Sequence, residues 1–236
     1  GRKFYSDSKL GAAVEGTQLM KDKGIDAVRL RVWVDPTDAK SGYTAVSVNK
    51  DGKAYCDKED VLVKAKRAQV LGMNIMIDFH YSDWWADPNK QNIPAAWEKH
   101  SYKKMLKDVS DHTIDVLTML KQNGVTPRWV QVGNETTNGL LWSVEMDPVT
   151  GWEKKDANGK TTIVHSMGHA ERNPKQYAGF IAAGYDAVKK IFPKAQVIVH
   201  LDNGYDNDLY NWNLDILKTN GAKWDIIGMS LYPYWS

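Results

Sequence analysis

The 236-residue chain holds one cysteine, Cys56, which excludes an internal disulfide and every multi-cysteine metal site. No apolar run is long enough to span a bilayer, and no stretch reads as a signal peptide. Charge of one sign is missing too. The 31 Lys and Arg against 29 Asp and Glu leave a formal net charge of +2, so electrostatics give no case for nucleic acid or an anionic membrane as partner. No glycine-rich phosphate loop follows any strand pattern, which argues against a nucleotide-binding sheet. Phenylalanine is sparse, with 4 residues beside 10 Trp and 11 Tyr. A core built for burial alone would lean on Phe. Rings with a polar handle suit wet, half-exposed surfaces, and their flat apolar faces match the C–H faces of sugars; the plainer reading of any one ring is half-buried packing.

What the chain does have is a repeated phrase. Lys21-Asp22-Lys23-Gly24 precedes a strand-like run over 27–34, and Gln69-Val70-Leu71-Gly72 precedes one over 74–80. Lys121-Gln122-Asn123-Gly124 precedes 128–133, and Lys218-Thr219-Asn220-Gly221 precedes 224–230. Each time a helix ends on basic or polar residues and a glycine suited to the position just past it, and a strand starts within a few residues. A fifth strand, 195–200, follows Phe192-Pro193, where proline stops the helix instead. Helical patterns cover 59–71, 102–123, 174–191 and 208–219. In the second, Met105, Val109, Ile114, Val116, Leu117 and Leu120 form one broad face. In the third, Asn173 is a cap residue with Pro174 at the first helical position. The alternation predicts parallel βα units in a single α/β domain. The stretches 35–57 and 142–172 lack periodicity and read as loops on the face where such sheets keep their chemistry.

Five strands fall short of a closed barrel of eight, which takes about 250 residues. A helical pattern opens the chain and a strand closes it, and the first residue is Gly1 rather than Met. The expectation is therefore an α/β fold of the (β/α)8 TIM-barrel type. Residues 1–236 would be an incomplete slice of about five βα units, cut or processed from a longer protein, without the first strand and strands seven and eight. Such a slice would leave unpaired edges at the strands of Arg29 and Met229. A self-contained doubly wound sheet is the alternative.

Asn134-Glu135 directly follows the third strand, at the C-terminal mouth where barrel enzymes place catalytic groups. The amide can fix a substrate hydroxyl, and the glutamate can exchange a proton with a glycosidic oxygen. A lone Asn-Glu would read more simply as a carboxylate capping the next helix. Period-two facing, however, brings further polar groups to the same mouth: Arg29, Arg31 and Trp33; Asp78 and His80; His200 and Asp202; Ser230, Tyr232 and Tyr234. Each has a plain alternative, such as an Arg29–Asp78 ion pair or a His80 satisfied within the core. Jointly they point to a polar active site. Asp78, His80, Asp83, His200 and Asp202 are also candidate metal ligands, but no His-x-His pair ends a strand. The His165–His169 spacing lies in a glycine-containing loop and lacks the glutamate of a zinc-protease helix, so a catalytic metal is the weaker reading.

Five ordered motifs then carry a specific resemblance. Arg29-Leu30-Arg31-Val32-Trp33-Val34-Asp35-Pro36, and Asp78-Phe79-His80-Tyr81-Ser82-Asp83 with Trp85-Ala86-Asp87-Pro88, resemble the second- and third-strand signatures of glycoside hydrolase family 53, the endo-β-1,4-galactanases. Val132-Gly133-Asn134-Glu135 with Asn138-Gly139-Leu140-Leu141-Trp142, His200-Leu201-Asp202-Asn203-Gly204, and Gly228-Met229-Ser230 with Tyr232-Pro233 are similar to the family in the same order. The resemblance implies a retaining glycosidase acting on the β-1,4-galactan side chains of pectin, a polysaccharide partner and no cofactor. It implies Glu135 as acid/base, Asn134 at the sugar 2-hydroxyl, and Arg29 orienting a nucleophile with Tyr232 as second partner. His80, Trp85, Trp142, Asp202 and Asn203 would contact the galactan chain. The nucleophilic glutamate and a family-type calcium site would belong to later segments, and the protein would be secreted, periplasmic or at the cell surface. Trp84, Tyr205 and the long 151–172 loop depart from the family pattern. A glycosidase for another β-linked glycan and a non-catalytic carbohydrate-binding barrel are the competing readings.

Overall fold

Five of the alternating runs become one parallel sheet. The structure, a computed structural model, describes residues 4–5, 13–37, 54–147, 150 and 152–234. Strands β1 (Phe4–Tyr5) and β2 (Ala13–Val14) pair as a small antiparallel ladder before helix α1 (Gly16–Asp22). Next come β3 (Ala27–Val32), α2 (Lys58–Val70), β4 (Asn74–Phe79), α3 (Tyr102–Gln122) and β5 (Trp129–Val132). A 3-10 turn (Thr136–Asn138) leads to β6 (Ser143–Val144) and β7 (Ile163–His165). The chain continues through α4 (Pro174–Ile191), β8 (Gln196–Leu201), α5 (Asn207–Thr219) and β9 (Ile226–Met229). The sheet order is β3-β4-β5-β8-β9, with every neighbouring pair parallel.

The registers pair Arg31 with Asp78, Phe79 with Val132 and Leu201 with Met229, so the strands finish together. One mouth therefore collects the residues just past each strand. The buried faces of the inner strands, including Ile75, Ile77, Val130, Val132, Val197 and Val199, join one core with Met105, Val109, Val116 and Leu117 of α3 and Tyr177, Phe180 and Ile181 of α4. Each such aliphatic or aromatic side chain contributes about 1.5–3 kcal/mol by leaving water. Ile114, expected on that face, is only partly buried at its edge.

Local chemistry sets the boundaries. The helix-terminating glycines Gly24, Gly72, Gly124 and Gly221 all take positive φ. The carboxylate of Asp57 accepts the Asp60 N–H at 2.8 Å, and that of Asp206 accepts the Leu209 N–H at 3.0 Å, capping α2 and α5. Asn173 behaves differently from expectation. Its side chain makes no cap bond and instead donates to the Ser166 carbonyl at 2.7 Å, while its own carbonyl receives the Gln176 and Tyr177 N–H groups. The stretch 142–172 is less irregular than its sequence suggests, because Ser143 and Val144 pair antiparallel with residues of β7. Most of the 35–57 loop lies outside the described residues.

Candidate active site

Asp78 anchors the mouth. Its carboxylate, 2% exposed, accepts Nη2 of Arg29 at 2.9 Å and Nε2 of Gln131 at 2.6 Å, and lies 3.2 Å from Nε2 of His80. The Ala86 N–H donates to Nδ1 of His80 at 3.1 Å, which leaves Nε2 to carry the ring hydrogen toward Asp78. A buried carboxylate needs such partners, since an unpaired one costs several kcal/mol. Both plain alternatives from the sequence therefore hold: Arg29 is paired with Asp78, and His80 is a satisfied core histidine. Both ring nitrogens are committed to the protein, so His80 acts on the site by holding Asp78 and the 85–87 segment.

Asn134 is fixed by the same frame. Its Oδ1 accepts Nη2 of Arg29 at 2.5 Å, and its Nδ2 donates to the Ala86 carbonyl at 2.8 Å. Gln91 donates to the Asn134 carbonyl at 2.8 Å from a loop where no periodicity marks it. Just before, Gly133 sits at φ +85°, and a Cβ there would collide with Cγ2 of Thr136. The chain turns again at once, because Glu135 is left-handed at φ 48°, ψ 55°. That conformation costs a non-glycine residue about 1–2 kcal/mol. Tyr81 and Asn203, past β4 and β8, share it at φ 50° and 47°. Strain of this kind concentrates where side-chain direction matters.

The Glu135 carboxyl is half-buried. Its Oε1 accepts the Ser230 hydroxyl at 2.6 Å, and its backbone N–H meets Nδ1 of His200 at 3.2 Å. Burial pushes its pKa above the ordinary carboxylate value. The Asp202 and Asp87 charges push the same way, while the Ser230 hydrogen bond and Arg29 oppose. A carboxyl that keeps its proton longer suits an acid catalyst. Asp202, also raised by burial, accepts the Thr137 hydroxyl and, at 3.0 Å, Nδ2 of Asn203. Burial and Arg29 push His200 down to about 4, so it is neutral near pH 7.

The rings divide into two kinds. Trp85 keeps 36% of its surface, with the Arg31 guanidinium 4.9 Å from its ring centroid and 5.1 Å from that of Trp33. Trp142 keeps only 3% and packs edge-on against His169 at 5.0 Å. Of the two tryptophans, Trp85 is thus partly exposed and Trp142 is buried. Trp142 and His169 instead wall a cavity of about 260 Å³ with Pro88, Asn138 and Arg172. Tyr232 is 61% exposed on the outer side of the mouth. Lys90 ties the 87–90 turn to the 152–155 strand-like segment, with Asp87 and Glu153 each at 2.5 Å. Among the described residues no group of three His, Cys, Asp or Glu side chains is placed to hold a metal ion. No described helix is long and apolar enough to cross a membrane.

Sequence reasoning singled out Arg29, Asn134 and Glu135, and the structure brings them together. It passed over Gln131, Gln91 and the Ser230–Glu135 bond. The signal for Gln131 is a polar residue interrupting an apolar strand; Gln91 has none.

Residues 1–236 match the profile of Glycosyl hydrolase family 53. An arabinogalactan endo-β-1,4-galactanase of Cellvibrio japonicus is 36% identical over 228 residues, covering 96% of this chain and 52% of that protein. The solved catalytic domain of the same family from Ignisphaera aggregans superposes with a TM-score of 0.77 at 32% identity, covering 100% of this chain and 56% of that one. A fungal β-1,4-galactanase structure gives 0.74 at 27% identity, with 95% and 57% covered. The chain spans about half the length of the curated relatives it matches.

Proposed function

This chain belongs to glycosyl hydrolase family 53, and on that premise we propose that it carries the acid/base half of a retaining endo-β-1,4-galactanase acting on the galactan side chains of pectin. The observation that carries the reading is Glu135. It is a half-buried glutamate at a parallel-strand mouth, with its pKa raised, beside an Asn134 locked by Arg29 and Gln91. In a retaining mechanism a protonated Glu135 gives its proton to the leaving glycosidic oxygen. A second carboxylate about 5–5.5 Å away attacks the anomeric carbon. Glu135 then removes a proton from the incoming water. Its pKa must fall between the two steps, and it does so once the partner carboxylate is esterified and its charge is gone.

We place that second carboxylate, and any calcium of the family type, outside residues 1–236. The 236 residues alone are accordingly expected to be catalytically inert. Asn134 addresses the sugar hydroxyl next to the scissile bond, Arg29 and Tyr232 face the nucleophile, and Trp85, Asp202 and Asn203 contact the chain of sugars. No cofactor enters this chemistry. The named relative acts on arabinogalactan, a polymer too large to enter a cell, which supports an exported protein.

The test is Glu135→Gln in the intact protein, assayed on β-1,4-galactan. Turnover should drop by roughly 10²–10⁴-fold. Substrates with activated leaving groups should lose less in the first step, and azide should restore part of the second. Near-normal hydrolysis of the polymer by this variant would end the assignment.

A further inference from the structure

Among the hydrogen bonds around Glu135, the arrangement of protons that satisfies its backbone N–H fixes the tautomer of His200. The Glu135 backbone N–H points at Nδ1 of His200, 3.2 Å away. A backbone N–H can only donate, so Nδ1 accepts and carries no hydrogen. Asn134 Oδ1, 3.1 Å from the same nitrogen, has no proton to give, and it already accepts from Arg29 at 2.5 Å and Gln131 at 3.4 Å. The amide cannot be reversed, because its Nδ2 donates to the Ala86 carbonyl. A neutral imidazole with a bare Nδ1 holds its hydrogen on Nε2. That nitrogen lies 3.1 Å from the hydroxyl oxygen of Ser230. Ser230 accepts there, and its single hydroxyl hydrogen goes to Oε1 of Glu135 at 2.6 Å.

We propose that Ser230, oriented by His200, is a positioning residue that reserves Oε1 of Glu135 as an acceptor and confines the transferable proton to Oε2. What that proton does rests on the galactanase reading; where it sits does not. In the first step Oε2–H passes its hydrogen to the glycosidic oxygen as the bond from that oxygen to the anomeric carbon breaks. The leaving sugar departs as an alcohol, and Glu135 remains as a carboxylate still held at Oε1. In the second step Oε2 takes a hydrogen from water as the water oxygen bonds to the anomeric carbon and the enzyme ester is released. Ser230 and His200 surrender no proton in either step. Their chain begins at the backbone of Glu135 and returns to its side chain, so the residue fixes the polarity of its own carboxyl. The same bond favours the charged form and offsets part of the effect of burial.

Two measurements on the intact protein test this without substrate. Nitrogen NMR of the His200 ring between about pH 5 and 8 should show a bare Nδ1 and a protonated Nε2; a protonated Nδ1 overturns the proposal. Carbon NMR of the Glu135 carboxyl should show its pKa rising by roughly one pH unit in Ser230→Ala, the value of a hydrogen bond to a charged group. Ser230→Thr, which keeps the hydroxyl, should restore it. On galactan, the alkaline limb of kcat/KM should move with the titration. An unmoved Glu135 titration in folded Ser230→Ala overturns the proposal, and the wild-type nitrogen spectrum decides it where the variant does not fold. Normal spectra with no galactan hydrolysis would uphold the positioning role and remove the galactanase reading. Hydrolysis with a protonated Nδ1 would do the reverse.

Discussion

Asp78, Gln131 and Asn134, on or just past β4 and β5, are at most 2% exposed and spend their polar atoms on one another. On or just past the outer strands, the Arg29 side chain keeps 43% of its surface and Tyr232 keeps 61%. The same mouth is thus built on two principles. Inside, groups are held by mutual hydrogen bonds at low dielectric, where each bond is stronger and each loss costlier. Outside, groups keep contact with water, and Arg29 reaches inward to Asp78 and Asn134. Glu135 stands between the two. Its backbone is gripped from the inner side by Gln91 and His200, and its carboxyl is met from β9's side by Ser230.

The largest test of that contrast is Asp78→Ala. It strips Arg29, His80 and Gln131 of a common acceptor and should cost about 3–5 kcal/mol of stability in chemical unfolding. Arg29→Met leaves Asp78 with two partners and should cost less than half as much. Equal costs would erase the distinction between inner and outer groups. Next come the two tryptophans. Trp142→Ala should destabilise the fold by about 3–5 kcal/mol. Trp85→Ala should leave unfolding nearly unchanged and weaken oligosaccharide binding by about 1–3 kcal/mol; the opposite pairing would show that Trp85 is the packing ring.

The most gradual effect is a pH slope. His200 and His112 are both pushed by burial from 6.5 down to about 4. A histidine depressed on folding lends stability above its unfolded pKa and loses it as pH falls toward the folded value. Stability should therefore decline from about pH 6.5 to 4, each group adding up to ~1.4 kcal/mol per pH unit. His112→Leu should remove part of that slope. An unchanged slope would mean that the His112 ring is not held neutral in the fold.

Much of the fold is legible in the sequence because two periodicities state it directly. The helix–glycine–strand phrase locates the sheet, and alternation within strands brings Arg29, Asp78 and His200 to the mouth. Legibility fails where no period exists. Gln91 sits in a loop, and its role depends on where β5 ends in space. Trp142 and Trp85 look alike as letters, and only packing against His169 separates the buried ring from the partly exposed one. Asn173 has the right residue type for a cap, but the Ser166 carbonyl competes for its amide.

The left-handed backbone at Glu135 has a bearing on how such a site can be lost. Asparagine and glycine sit more easily at φ 48°, ψ 55° than glutamate does, and either would also remove a half-buried charge. In a lineage released from selection for catalysis, the first substitutions at this position would relax the main chain and raise stability together. On the acid/base reading, position 135 would therefore act as a ratchet. Drift away from glutamate runs downhill, and only renewed demand for an acid can drive it back. Descendants that bind sugars without cutting them should be recognisable by asparagine or glycine here more often than by glutamine, which would shed the charge but keep the strain.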